Sequence, residues 1–424
     1  MPIERANAPQ SLSSWLAYLE RIHPSEIDMG LERVARVRDR LGLLPTFPIL
    51  AVGGTNGKGS VSAMLESILS SAGYKVGLYT SPHLLRYNER VRVQGQETAD
   101  DELVRAFTRI EQVRDDVSLT YFEFGTLAAM DVFLRASVDI AVLEVGLGGR
   151  LDAVNAFDSD CAVVTSVDLD HMEFLGNDRD SIGREKAGIF RPGRPAICGE
   201  MDAPAGLIGR AQEIGARLQL VGRDYGYKTD PKQWQYWSAL GKRSGLPHPA
   251  LRGEYQLGNA ATALAALEQI KDRSPVDMGA IRSGLLDVRL PGRFQVLPGR
   301  PMVILDVGHN PHAARALASS LRRLPRGRTL AVFAMLKDKD IEGTAAAMRA
   351  EVDEWFVAGL SGPRGVDAER IRQALATAGV AAPVAKFDTA VAAYQHAISA
   401  AGQNDKILVF GSFYTVGAVL AARR

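Results

Sequence analysis

The sequence predicts an α/β protein of two domains: a larger N-terminal one with a mainly parallel sheet, and a smaller C-terminal one. Three observations carry this. An apolar run ends in a glycine-rich turn that passes directly into a helical pattern. Strand-like and helix-like segments alternate along most of the chain, as they do where helices cover a parallel sheet. And 424 residues exceed what one core usually serves.

The turn lies in Pro48-Ile49-Leu50-Ala51-Val52-Gly53-Gly54-Thr55-Asn56-Gly57-Lys58-Gly59-Ser60. A strand, a glycine loop and a helix in this order aim backbone N–H groups at phosphate oxygens. A lysine adds a point charge, and the helix start adds its partial positive charge. The stricter phosphate-loop spacing places a glycine where Val52 stands and a Ser or Thr where Gly59 stands. Gly59 has no hydroxyl for a magnesium ion, so a metal bound with ATP here needs ligands from elsewhere in the chain.

Composition narrows the class. Hydrophobic residues make up 46% and charged residues 23%, ordinary for a soluble globular protein. Fifty basic against 49 acidic residues leave a formal charge of +1, which gives no electrostatic case for nucleic acid or an anionic membrane. The two cysteines, Cys161 and Cys198, match no metal or redox spacing and read as buried thiols. No apolar run has the length of a membrane span, and Met1–Gln10 does not resemble a secretory signal. The expectation is a cytoplasmic enzyme, monomeric by default.

In order, Ser11–Leu43 reads as two helices separated by Ile27-Asp28-Met29-Gly30-Leu31, with Asp28 either a helix cap or a ligand contact. Lys75–Thr80 is a strand leading to Ser81-Pro82-His83. Ligands of open parallel sheets gather beyond the carboxyl ends of the strands, so Ser81 is either a metal ligand or a turn cap. In Glu89–Val93 charged and apolar residues alternate as in an exposed strand, leaving Arg90 and Arg92 either solvated or functional. Thr120-Tyr121-Phe122-Glu123-Phe124 opens a helix whose aromatics either join the core or line a pocket for a flat ring. Asp139–Glu144 is an apolar strand that delivers a carboxylate at its end, where nucleotide-binding sheets place a magnesium ligand. Glycines follow at Gly146, Gly148 and Gly149, then Arg150-Leu151-Asp152. The apolar run Cys161–Val167 ends in Asp168-Leu169-Asp170-His171. Ser81, Glu144 and His171 thus form a set of strand-end donors. Lys186, in Glu185-Lys186-Ala187-Gly188-Ile189, reads from spacing as a surface lysine.

Leu207–Ala250 shows a weak pattern, a polar stretch read as a small strand excursion with no evident chemistry. Asn259, at a helix start, is either a cap or an amide that reads a base edge. Pro291-Gly292-Arg293 marks the domain junction. Strands are expected at 302–306, 329–334, 353–358, 384–387 and 406–410, with polar strand ends at Asp306–Pro311 and Gly411–Tyr414.

Together Gly54–Ser60, Ser81-Pro82-His83, Leu143–Asn155, Gly183–Ile189 and Asp306–Pro311 resemble the folylpolyglutamate synthases, within the wider family of ATP-dependent Mur-type amide ligases. Leu119–Leu127 and Ile27–Arg33 resemble the bacterial bifunctional members that are also dihydrofolate synthases. The resemblance covers nearly the whole chain. It implies a P-loop ATPase-like domain over residues 1–290 that binds ATP and the pterin. It also implies a Rossmann-like domain over 291–424 that binds glutamate.

By the same resemblance, ATP is held by Thr55, Asn56, Gly57, Lys58, Gly59, Ser60, Asn259, Arg293 and Asp306. Two magnesium ions are expected on Ser81, Glu144, His171 and a carbamylated Lys186, with Lys58, Lys186 and His171 as the catalytic set. Dihydropteroate would lie against Asp28, Met29, Gly30, Leu31, Thr120, Tyr121, Phe122, Glu123, Leu151, Asp152 and Ala153, and L-glutamate against His309 and Ser412. The implied reaction joins L-glutamate to dihydropteroate and to reduced folates through an acyl phosphate. A departure is Tyr255-Gln256, where many members carry His-Gln. The rival readings are a cell-wall amino-acid ligase and a nucleotide-dependent switch protein.

Overall fold

The structure is a computed structural model that describes residues 9–25 and 27–423. Two compact units divide the chain. The first contains the residues up to His83, Tyr87–Pro249 and Leu257–Val288; the second contains Leu84–Arg86, Ala250–Gln256 and the residues from Arg289 on.

The first unit is built on eight strands: β1 (Ile49–Gly53), β2 (Val76–Tyr79), β3 (Val91–Val93), β4 (Gln96–Glu97), β5 (Ile140–Glu144), β6 (Cys161–Val164), β7 (Pro195–Cys198) and β8 (Arg217–Leu220). They lie in the order β4-β3-β2-β5-β1-β6-β7-β8. From β2 through β8 every neighbouring pair is parallel, and β3 and β4 add an antiparallel edge. The inner strands β1, β5 and β6 are buried at every residue. A strand covered by helices on both faces reads as a continuous apolar run, which is why these were visible in the sequence.

The helix Lys58–Ser71 leaves the end of β1 and packs on the helix Met278–Asp287 at Gly284. A Cβ there would lie 2.5 Å from the Ile68 Cα, and the Ser67 hydroxyl donates to the Gly284 carbonyl at 2.8 Å. The two N-terminal helices, Leu12–Leu19 and Glu32–Leu41, lie against the helix Asp100–Arg114, with Trp15 beside Phe107 and Phe124.

The stretch read as a small strand excursion does form strands, and a helix besides. It holds the helix Ala205–Ile214, β8 and an antiparallel sheet of β9 (Tyr225–Thr229), β10 (Trp234–Ser238) and β11 (Gly241–Leu246). Trp234 and Tyr236 alternate inward on β10, and the Tyr236 hydroxyl reaches Glu268. Arg90 and Arg92 are not simply solvated either. Arg92 pairs with the buried Glu66, while Arg90 bonds His83 and lies over the rings of Tyr87 and Tyr121.

The second unit is a six-stranded sheet of β12 (Gln295–Leu297), β13 (Met302–Asp306), β14 (Thr329–Phe333), β15 (Glu354–Ala358), β16 (Val384–Phe387) and β17 (Lys406–Phe410), in the order β12-β13-β17-β14-β15-β16. All pairs are parallel except β12 with β13. Phe333, Trp355 and Phe410 cluster in its core, Phe333 edge to face with Trp355 and both tilted against Phe410. Among the described residues no helix is long and apolar enough to cross a membrane.

Candidate active site

The glycine loop closes the end of β1. Gly54 and Gly57 adopt positive φ angles of 143° and 87°, conformations that side chains disfavour. Crowding excludes a side chain as well. A Cβ on Gly54 would meet the Thr165 hydroxyl at 2.0 Å, and one on Gly57 would meet Asn259 Oδ1 at 2.7 Å. The strand end of β6 fastens the loop from beside it. The Thr55 N–H donates to the Ser166 carbonyl, the Asn56 N–H to the Ser166 hydroxyl, and Thr165 Oγ1 to the Asn56 carbonyl. Lys58 Nζ folds back on the loop, donating to the Gly54 and Thr55 carbonyls at 3.1 and 3.3 Å. Gly57 begins the helix and makes no side-chain cap bond, so the start of the helix is of the kind that receives anions.

Asn259 is the fourth residue of the helix Gln256–Gln269, and its amide lies against Gly57. It is therefore not that helix's N-cap.

The strand register brings the expected metal donors to the same edge. Val52 of β1 pairs with Glu144 of β5, Tyr79 of β2 with Leu143, and Gly53 with Val164 of β6. With strands about 5 Å apart, Ser81, Glu144, the phosphate loop and the segment leading to His171 leave the sheet side by side. Glu144 is 3% exposed, a carboxylate at the end of an otherwise apolar strand. His171 starts the short helix Met172–Leu175 in a left-handed conformation, φ 51°, and its ring stands 4.0 Å from Asp170. Among the described residues no three His, Cys, Asp or Glu side chains gather as a metal cluster. The expected set contributes only Glu144 and His171 of those types, with a hydroxyl and a lysine beside them. Oxygen and imidazole donors of this kind fit a hard divalent cation that also takes phosphate oxygens.

Lys186 is not a surface lysine. It ends the helix Arg179–Lys186 and is 4% exposed. Burial, followed by the positive charge of Lys58, pushes its ammonium down to about 7, against the opposing pull of Asp170 and Asp152. The chain around it is clamped. Gly149 runs within 3 Å of the Lys186 and Glu185 carbonyls, measured from where a Cβ would stand, and the Arg150 N–H donates to the Glu185 carbonyl. Asp152 is buried too, and burial pushes its carboxyl up to about 6. It accepts from the N–H groups of Gly146, Leu147 and Val154 at 2.8–3.0 Å, which folds the loop 146–152 into a hook.

The three segments expected to meet a pterin converge beside this loop. The Phe122 ring covers Gly146, where a Cβ would lie 2.7 Å from Cζ, and it neighbours the Tyr79 ring. The Met29 methyl and Leu175 approach Gly148. Thr120 and Glu123 form a capping box on the helix Tyr121–Ala136. Asp28 is not a helix cap. Leu31 holds that position for Glu32–Leu41, and Asp28 pairs with Arg33 at 2.9 Å. Leu151 is half-buried and Ala153 buried, both next to Asp152.

In the second unit the ends of the neighbouring strands β13 and β17 carry the expected groups. Asp306 pairs in register with Phe410, is 4% exposed, and accepts from the Phe294 and Gly308 N–H groups at 2.8 and 2.7 Å. Burial raises its carboxyl above the usual range, opposed by Arg293. The Arg293 guanidinium lies over Phe413, and its buried Nη1 has no partner among the described residues. His309 Nδ1 bonds the Val307 carbonyl, and its ring is 6.4 Å from Phe413. Ser412 caps the helix Phe413–Ala422 through the Tyr414 N–H.

Arg33, to which sequence reasoning assigned no role because its partner Glu123 is remote in the chain, sits among these groups. Arg90, read as either solvated or functional, lies there too, over the faces of Tyr87 and Tyr121.

The lysine's environment has a thermodynamic signature. Folding must either bury the charge or release the proton, so Lys186 destabilises the ligand-free fold fully below pH 7. The penalty shrinks between pH 7 and the ordinary lysine range. Lys186→Met, in buffer freed of carbon dioxide, is therefore expected to be more stable than the parent at pH 6 in urea titrations, with a smaller gain at pH 9. A gain that does not change with pH contradicts this assignment.

Comparison with known proteins agrees with this architecture. Residues 52–267 match the Mur ligase middle domain, and residues 292–413 match the Mur ligase glutamate ligase domain. The Escherichia coli dihydrofolate synthase/folylpolyglutamate synthase is 50% identical over 97% of this chain and 96% of its own. A solved structure of E. coli FolC in complex with DHPP and ADP superposes with a TM-score of 0.93 at 49% identity, covering 98% of both chains. A bifunctional folylpolyglutamate synthase/dihydrofolate synthase with Mn, AMPPNP and L-glutamate bound gives 0.92 at 47% identity, covering 98% of this chain and all of that one. The likeness thus runs over nearly the full length of these relatives: the chain belongs to the Mur ligase family, among the bifunctional dihydrofolate synthase/folylpolyglutamate synthases.

Proposed function

We propose that the protein is an ATP-dependent ligase that joins L-glutamate to dihydropteroate, and to the γ-carboxylate of reduced folates, releasing ADP and phosphate. The observation that carries this is the single sheet edge of the first unit. There the phosphate loop with Lys58 stands next to Glu144, and the loop 146–152 that follows Glu144 is where the 28–31 and 120–123 segments meet. A triphosphate and an aromatic acid held on adjoining strand ends are placed for transfer from one to the other. A nucleotide switch has no use for the second seat. The relatives, named for folate synthesis, favour folate acceptors over cell-wall precursors.

A carboxylate oxygen of the acceptor attacks the γ-phosphorus, the bond to the β-phosphate oxygen breaks, and ADP leaves. Lys58 and the N–H groups at the start of its helix neutralise charge spreading over the transferring phosphoryl group. The α-amine of L-glutamate then attacks the acyl carbon. The tetrahedral intermediate loses phosphate and a proton to give the amide. Thr55, Asn56, Gly57, Lys58, Gly59, Ser60 and Asn259 hold the nucleotide, and the resemblance assigns Arg293 and Asp306 to it as well. The buried, unpartnered Nη1 of Arg293 suits a ligand oxygen. His309 and Ser412 serve the incoming glutamate.

Magnesium, held by Ser81, Glu144, His171 and Lys186, supplies further neutralisation of phosphate charge when bound. For Lys186 to act there it must become an anion. Its burial favours the neutral amine, whose nitrogen adds to carbon dioxide with loss of a proton to give a carbamate.

With ATP, magnesium and either dihydropteroate or a reduced folate, ADP release is expected to require L-glutamate. No glutamate-dependent turnover with either acceptor overturns the reading. Lys186→Ala is expected to lose most activity and to regain part of it with added short carboxylates. Full activity in that variant overturns the carbamate role.

A further inference from the structure

We propose that Arg33 is a positioning residue of the acceptor site, clasping the 28–31 turn onto the start of the helix Tyr121–Ala136 so that the two grip a pterin-bearing acid between them. The proposal rests on the ligase reading above. One guanidinium makes every link. Arg33 Nη1 meets Asp28 Oδ2 at 2.9 Å; Nη2 donates to the Asp28 carbonyl at 2.8 Å and to Glu123 Oε1 at 2.9 Å. Glu123, 3% exposed, uses its other oxygen to accept the Thr120 N–H at 2.8 Å, and its own N–H donates to the Thr120 hydroxyl. The clasp therefore runs from Asp28 through Arg33 and Glu123 into the backbone of Thr120, across ninety positions of sequence between Arg33 and Glu123.

Local structure leaves this job to Arg33. The helix that follows the turn has Leu31 at its N-cap with no side-chain bond, so capping does not fix where the turn lies. Besides Arg33, the Asp28 carboxylate meets His23 among the described residues, at 3.4 Å, an ion pair just when that imidazole is protonated. Glu123, with one oxygen on Arg33 and the other on Thr120, serves as frame. Asp28 is more open, its side chain 40% exposed, and offers an acceptor to N–H groups of the kind a pterin edge carries. Arg33 Nε is buried without a partner among the described residues, a donor left over beneath the same turn. The forked, planar cation is needed because a lysine ammonium cannot serve a carboxylate, a carbonyl and a second carboxylate in one fixed geometry.

The test is steady-state kinetics on the full chain with Arg33→Met and Arg33→Lys, varying dihydropteroate, ATP and L-glutamate in turn. Loss of the charge-assisted links is expected to raise the KM for dihydropteroate about tenfold in Arg33→Met, with the KM for ATP within about twofold of the parent. Arg33→Lys should fall between. Glu123→Gln added to Arg33→Met should raise the acceptor KM by less than the product of the single effects, since both cut one link. Thermal unfolding identifies a variant that does not fold, in which case Arg33→Lys carries the test. An acceptor KM at the parental value, or an ATP KM that rises in step with it, overturns the proposal. If the parent turns over neither dihydropteroate nor a reduced folate, the ligase reading fails and this proposal with it; a parent that turns over either one, with an acceptor KM unmoved in the variants, overturns the clasp alone.

Discussion

The chemistry of the first unit depends on β1 and β5 lying parallel, with Glu144 set beside Val52. A register slip of one residue would turn Glu144 to the other face of the sheet, and the apolar strand would bury a carboxylate among helices. Both strands are apolar and buried throughout up to Glu144, so alternation does not distinguish the register, and the carboxylate at the strand end does. The phosphate loop and the hook at 146–152 begin where these two strands stop, and Glu144 ends the second of them.

The second constraint is charge. Lys58 and Lys186 lie close enough for each cation to disfavour the other, in a region where Lys186 and Asp152 are nearly inaccessible to water. Without ligands the fold tolerates this by lowering the lysine and raising the aspartate toward neutrality. Such a site gains by taking up anions. On the proposed reading a triphosphate would meet Lys58, and a carbamate would turn Lys186 from a repelled cation into a partner.

How much was legible in the sequence follows from the range of the interactions. Buried parallel strands announce themselves as apolar runs, and residues such as Glu144 and Ser81 stand out where those runs stop. The sheet β9–β11 left only a weak strand signal because its strands are short, half-exposed and rich in polar residues, with Tyr225, Trp234, Tyr236 and Leu246 among the few that are buried. Asn259 looked like a cap because the helix start at Gln256 has no sequence signal, and only the fold shows its amide against Gly57. Lys186 carries no mark of burial in its neighbours; the loop that covers it comes from residues 149–152. The Arg33 links to Glu123 are invisible for the same reason, since no periodicity joins them.

The central claim is that the acceptor's own carboxylate oxygen takes the phosphoryl group. Dihydropteroate labelled with oxygen-18 in both carboxylate oxygens tests it directly, by mass analysis of the phosphate released during glutamate-dependent turnover. Passage through an acyl phosphate predicts one labelled oxygen in each phosphate. Unlabelled phosphate, released at the same rate as amide forms, would contradict the account.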